Sequence, residues 1–164
     1  MNAALPAAPV PPLPSNIAVF LDTGPLGTVS NPKSSPEGDA CKAWLEGLVA
    51  RGTRVLVPEI ADYEVRRELL RAGKTAGLAR LDVVKAALEY VPITTEAMLF
   101  AADLWAQVRR QGQPTADAKA LDGDVILAAQ AFTLGLAVDQ IVVATVNVGH
   151  FARFIPARRW QDIA

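Results

Sequence analysis

Ile17-Ala18-Val19-Phe20-Leu21-Asp22-Thr23-Gly24-Pro25 decides the fold. An apolar run, Ile17 to Leu21, stops abruptly at turn-forming residues. A helix would space its apolar residues by three or four, and a half-exposed strand would alternate them. A short unbroken run between turn signals is a strand buried on both faces, as in a parallel sheet covered by helices. Arg54-Val55-Leu56-Val57 and Ile141-Val142-Val143-Ala144 repeat the pattern. Val91-Pro92-Ile93 is a weaker strand whose proline suits an edge. The segment before Trp160 adds a further edge strand.

Helical patterns lie between these runs. Glu37 to Ala50 carries Ala40, Trp44, Leu45 and Leu48 on one side. Pro58 suits the first position of a helix that continues through Glu64 to about Ala72, with a stripe of Ala61, Val65 and Leu69. Further helices are expected from Gly77 to Glu89, from Glu96 to Arg110 with Thr95 as its cap, and from Asp122 to Leu136. Residues 28–38 and 111–120 read as loops. Strand alternating with helix predicts an α/β fold, a three-layer α/β/α sandwich with a mainly parallel sheet of four or five strands.

The chain's 164 residues suffice for one domain with its own core. Residues 1–16, rich in alanine and proline, are expected to form a flexible tail, and residues 17–164 the domain. Cys41 is the sole cysteine, which excludes an intramolecular disulfide and a cysteine-based zinc site. That fits a reducing compartment. Neither a secretory leader nor a run of about 20 apolar residues is present, so a soluble, cytoplasmic protein with no membrane partner is expected. The net charge of -1 argues against coating nucleic acid by bulk charge. It leaves room for an acidic pocket whose charge a basic rim cancels.

In parallel sheets ligands bind at the carboxyl ends of the strands. Asp22 directly follows the first strand. Asp124 is placed by the pattern in the first turn of a buried helix, where the macrodipole favours an acid. Glu64 lies on the helix leaving the second strand, and Asn147 follows the fourth. Converging carboxylates would repel one another without a cation. Hard oxygen donors suit Mg2+ or Mn2+, and the chemistry such an ion supports is phosphodiester hydrolysis. Singly, each residue has an ordinary explanation: Asp22 and Asn147 as turn residues, Glu64 as a solvated helix acid, Asp122 as a helix cap. Arg66, Arg67 and Arg71 form either a solvated face or part of a rim that grips RNA phosphates. His150 is the only histidine, and ribonucleases that act through the 2′-hydroxyl need a second proton-handling group. It is read as a packing or capping residue beside Phe151.

Four segments taken in order resemble the PIN-domain family, including VapC-type toxin ribonucleases. They are Val19-Phe20-Leu21-Asp22-Thr23-Gly24-Pro25-Leu26, Val57 to Arg67 around Glu64, Asp124-Val125-Ile126-Leu127-Ala128-Ala129-Gln130-Ala131, and Val143-Ala144-Thr145-Val146-Asn147-Val148-Gly149-His150-Phe151. The resemblance implies that Asp22, Glu64 and Asp124 are catalytic and hold the metal. Asn147 would support it, and Thr23 and Thr145 would orient the ligands. Gly24 departs from the asparagine often found there, and Asn147 stands where many members have an acid. Asp122 is an extra carboxylate counted among the supporting residues. The function so implied is a Mg2+- or Mn2+-dependent endoribonuclease acting on RNA, either the toxin of a toxin–antitoxin pair with an antitoxin partner or a stand-alone RNA-processing enzyme, and a homodimer. The alternative is an inactive PIN-like module that binds RNA or protein. A phosphatase forming an aspartyl-phosphate on Asp22 is disfavoured, because Gly24 occupies the place of its second acid.

Overall fold

The computed structural model describes residues 11–112 and 118–164. Most of the expected tail, residues 1–10, and the centre of the expected polar loop, residues 113–117, lie outside the described residues. At the sheet's heart is β1 (Ala18–Leu21), flanked by β2 (Arg54–Pro58) and β4 (Ile141–Thr145). At the edges lie β3 (Glu89–Val91) and β5 (Ala157–Arg159), giving the order β3-β2-β1-β4-β5 with every pairing parallel.

The unbroken apolar runs have a simple cause. Val19 and Leu21 of β1 face one core with Val55, Val57, Val142 and Ala144. Ala18 and Phe20 face the other with Leu56, Ile141 and Val143. Period-two alternation therefore buries both sides of each central strand, and all positions must be apolar. The first core is closed by α1 (Thr23–Ser30), α2 (Pro36–Ala50) and α4 (Thr75–Ala87), with Trp160 and Ile163 returning beneath α2. The second is closed by α5 (Thr95–Arg110), α6 (Ala118–Phe132) and the short α7 (Val148–Phe151). Helix α3 (Glu59–Arg71) follows β2 and contributes Ala61 and Val65 to the first core.

Several expectations shift. Thr23 to Ser30, read as a turn running into a loop, is helical. The cap of α5 is Thr94, whose hydroxyl accepts the Ala97 N–H at 3.0 Å, one residue before the expected Thr95. Pro92 ends β3 rather than sitting inside it. Helix α6 begins at Ala118, so Asp124 sits in its second turn and the macrodipole argument for it does not apply. Leu13 donates its N–H to Ala164 at 3.0 Å and packs against the first core.

The chain lays β1, β2 and β3 in one direction from the centre, then β4 and β5 in the other. The order reverses between β1 and β4, and in such sheets the carboxyl ends of the strands at this switch point are where ligands bind. Asp22 and Thr145 leave the sheet at that edge.

Candidate active site

The site is assembled from the end of β1 and the start of α1, the end of β4, and helices α3 and α6. Asp22 continues the sheet, its N–H donating to the Ala144 carbonyl at 3.0 Å. Its carboxylate accepts the Thr145 hydroxyl at 2.7 Å on Oδ2. Thr145 is fully buried and also accepts the Asn147 N–H at 2.9 Å. The end of β4 thus fixes the Asp22 side chain through one hydroxyl. On the other flank the Thr23 hydroxyl donates to Glu64 Oε2 at 2.6 Å. Adjacent residues, Asp22 and Thr23, therefore tie the site to β4 in one direction and to α3 in the other.

Helix α6 brings Asp124. Its backbone passes so close to α3 that a Cβ at Gly123 would overlap Glu64 Oε1. The helices are further locked by Gln130, a buried amide. Its Nε2 donates to the Val91 carbonyl at 2.7 Å, and its Oε1 accepts the Ile60 N–H at 3.3 Å. One side chain thereby joins α6 to the end of β3 and the start of α3.

Electrostatics bind the acids into one site. Burial pushes the Asp124 carboxyl up to about 7, and repulsion from Asp22 and Glu64 adds to it. Asp22 is raised chiefly by burial, with Glu64 adding and the Thr145 hydroxyl opposing. The carboxylates feel one another, yet among the described residues no group of three or more Asp, Glu, His or Cys side chains is drawn tightly enough to chelate an ion as it stands. Hard oxygen donors raised by burial and mutual repulsion are chemically suited to a divalent cation, which would discharge both penalties.

The remaining sequence candidates divide. His150, set aside as a packing residue, places Nδ1 3.4 Å from Asp124 Oδ2. Its signal was hidden because only the turn into α7 returns it to α6. The Asn147 side chain is exposed beside Thr145. Asp122 is exposed and lines a hollow between α5 and α6 with Met98 and Trp105, away from Thr23 and Glu64. Arg66 grips the buried Asp62 with both Nε at 3.1 Å and Nη2 at 2.9 Å, and meets Asp82 at 2.7 Å. It is committed to fastening α3 to α4. Arg67 lies over the Tyr63 ring at 5.2 Å, and Arg71 pairs with Glu68 at 2.8 Å.

The family model for the PIN domain matches residues 19–153. The chain belongs to the PIN-domain family. Solved PIN-like structures agree in fold. VapBC2 from Rickettsia felis, bound to a DNA fragment from its promoter, superposes with a TM-score of 0.68 at 17% identity, covering 88% of this chain and 99% of that one. FitAcB from Neisseria gonorrhoeae gives 0.63 at 19% identity, over 87% and 98%. VapC20 from Mycobacterium tuberculosis, described as a sarcin–ricin-loop-cleaving toxin, gives 0.59 at 16% identity, over 86% and 98%. Among curated proteins no sequence matches the chain. At these identities the structural likenesses concern the PIN fold itself.

Proposed function

We propose that this PIN domain, residues 17–164, is a metal-dependent endoribonuclease. Asp22, Glu64 and Asp124 would hold Mg2+ or Mn2+, with Thr23 and Thr145 orienting the acids and Asn147 at the rim. The observation that carries the reading is the meeting of these segments at the sheet's switch point: Thr23, next to Asp22, donates to Glu64 at 2.6 Å, and the Glu64 carboxylate lies against Gly123, next to Asp124. When bound, a divalent ion lowers the pKa of water and stabilises charge on a phosphate. The chain's own residues position it: Thr145 holds one Asp22 oxygen, Thr23 holds one Glu64 oxygen, and Gly123 leaves the Glu64 carboxylate its room. The cleavage of the sarcin–ricin loop by the Mycobacterium neighbour and the VapBC assembly from Rickettsia support extending the proposal to a toxin with an antitoxin partner.

The deciding experiment cuts a labelled single-stranded RNA and identifies both new ends. Hydrolysis by water leaves a 5′-phosphate and a 3′-hydroxyl, and a chelator abolishes cleavage until Mg2+ or Mn2+ is restored. A 2′,3′-cyclic phosphate, or full activity after chelation, overturns the reading. A second reading, a PIN fold that binds RNA without cutting it, draws on the lack of a tight chelating cluster among the described residues. It predicts retention of RNA with no new ends.

A further inference from the structure

Beside the acids the surface falls away into two adjoining hollows. The first, about 320 Å³, contains Thr23 and Glu64 together with Arg71 and Lys74. The second, about 500 Å³, is lined by Asn31, Lys33, Lys74 and Thr75. Both hollows are walled by Gly27, Leu69 and Lys74, so they form one trough that leaves the acids between α1 and the turn joining α3 to α4. Hollows of this size suit a segment of a flexible ligand rather than a folded partner.

Its floor is kept low by glycine. A Cβ at Gly77 would stand 2.8 Å from Leu69 Cδ2 and force that side chain to shift, and Gly27 leaves the wall of α1 bare. The charges are arranged unevenly. Glu68 is taken by Arg71 at 2.8 Å, and the Glu64 carboxylate belongs to the acid cluster. Lys33 and Lys74 are exposed, and no described carboxylate forms an ion pair with either. A trough with an apolar floor and lysines on its walls, opening at a group of acids, matches a chain of phosphates joined by partly apolar units.

We propose that this trough is the bed of the RNA strand on one side of the cut, with Lys33 and Lys74 gripping its phosphates. The inference deepens the ribonuclease reading and rests on it for the choice of RNA. It also explains why Arg66, the nearest arginine after Glu64, is not needed on the strand: Asp62 and Asp82 already use it.

The test is direct binding, measured by anisotropy of a labelled single-stranded RNA with Ca2+ replacing Mg2+. The Lys33→Ala/Lys74→Ala double variant should raise Kd about tenfold at low salt and reduce the slope of log Kd against log salt by about 1.4, about 0.7 for each lost phosphate contact. Arg51→Ala serves as control, since Arg51 caps α2 just before β2, at the amino end of that strand and away from the carboxyl ends where the acids lie. In the cleavage assay the cost should fall on KM rather than kcat. If the double variant binds RNA like Arg51→Ala, or loses kcat at unchanged KM, the trough is not the strand's bed. If the wild type retains no RNA, the inference also fails. If it binds RNA with this lysine dependence but makes no new ends, the trough stands and the nuclease reading falls.

Discussion

At the scale of single residues, the acids and the groups that seat them differ in how openly the sequence displays them. Asp22 was legible because a strand end in a parallel sheet is a privileged place. Glu64 and Asp124 were legible only through the order of motifs, since an acid on a helix is ordinary. Gly123 and Gln130 were not legible, because their roles exist only where α6 meets α3 and β3. Two predictions follow from that contact. Glycine inside a helix costs about 0.5–1 kcal/mol relative to alanine, so Gly123→Ala should favour α6 by that amount. The added methyl must displace the Glu64 carboxylate, which lies at the end of a flexible side chain. Unfolding in urea should show unchanged or higher stability while RNA cleavage drops sharply. Retained cleavage would remove Glu64 from the reaction. Gln130→Leu, by contrast, leaves the Val91 carbonyl and the Ile60 N–H without their partner. It should cost about 1–3 kcal/mol in the same titration. A neutral result would make the amide dispensable to the packing of α6.

Among the elements, the central strands and the longer helices were readable from hydrophobic pattern, and the errors have local causes. Helix α1 was missed because Gly24, Pro25 and Gly27 fall within its eight residues, all poor helix formers. Pro25 stands in the first turn, where its missing N–H would have had no intrahelical partner. Burial of Leu26 and Val29 outweighs propensity. Gly24 has a further reason to be small: a Cβ there would lie 3.0 Å from Val146 Cγ2 and 3.2 Å from Cγ1. Its departure from the asparagine common in the family thus coincides with Val146 packing against the start of α1. Gly24→Val should force the segment after β4 away from α1 and disturb Thr145 with it. Loss of cleavage and a smaller cost than overpacking a closed core, at most about 1 kcal/mol, are expected, because Val146 is 52% exposed. Pairing Gly24→Val with Val146→Ala should restore much of both. A double variant no better than the single one would show that the contact does not govern the site.

Assembly and the response of the metal-free fold to pH are properties of the molecule as a whole. The homodimer implied by the family resemblance is supported by apolar side chains of α4 and α5 that the fold leaves exposed, Val83 at 60%, Leu99 at 67% and Phe100 at 41%. Mass measurement at micromolar concentration should find two copies, and a monomer alone would end that expectation. The other property is the response of the metal-free fold to pH. Asp124 ordinarily titrates near 3.8 and in the fold near 7, and Asp22 is raised as well. Groups with raised folded pKa values bind protons more tightly in the native state, so their contribution favours the fold at low pH. It is lost as pH rises from about 4 to about 7, opposite to the usual salt-bridged carboxylate. Other groups titrate over the same range, so the informative quantity is a difference. In chelator, Asp22→Asn removes one raised carboxylate and the repulsion it exerts on Asp124. The variant should therefore melt a few degrees above the wild type at pH 7.5, and the gap should shrink at pH 4.5. Adding Mg2+ should raise the Tm of the wild type more than that of the variant, because a ligand stabilises the state that binds it. The measurement is thermal unfolding of both proteins at the two pH values, with and without Mg2+. A variant that melts below the wild type in chelator at pH 7.5 would mean that Asp22 serves the fold through its Thr145 bond more than it burdens it by repulsion.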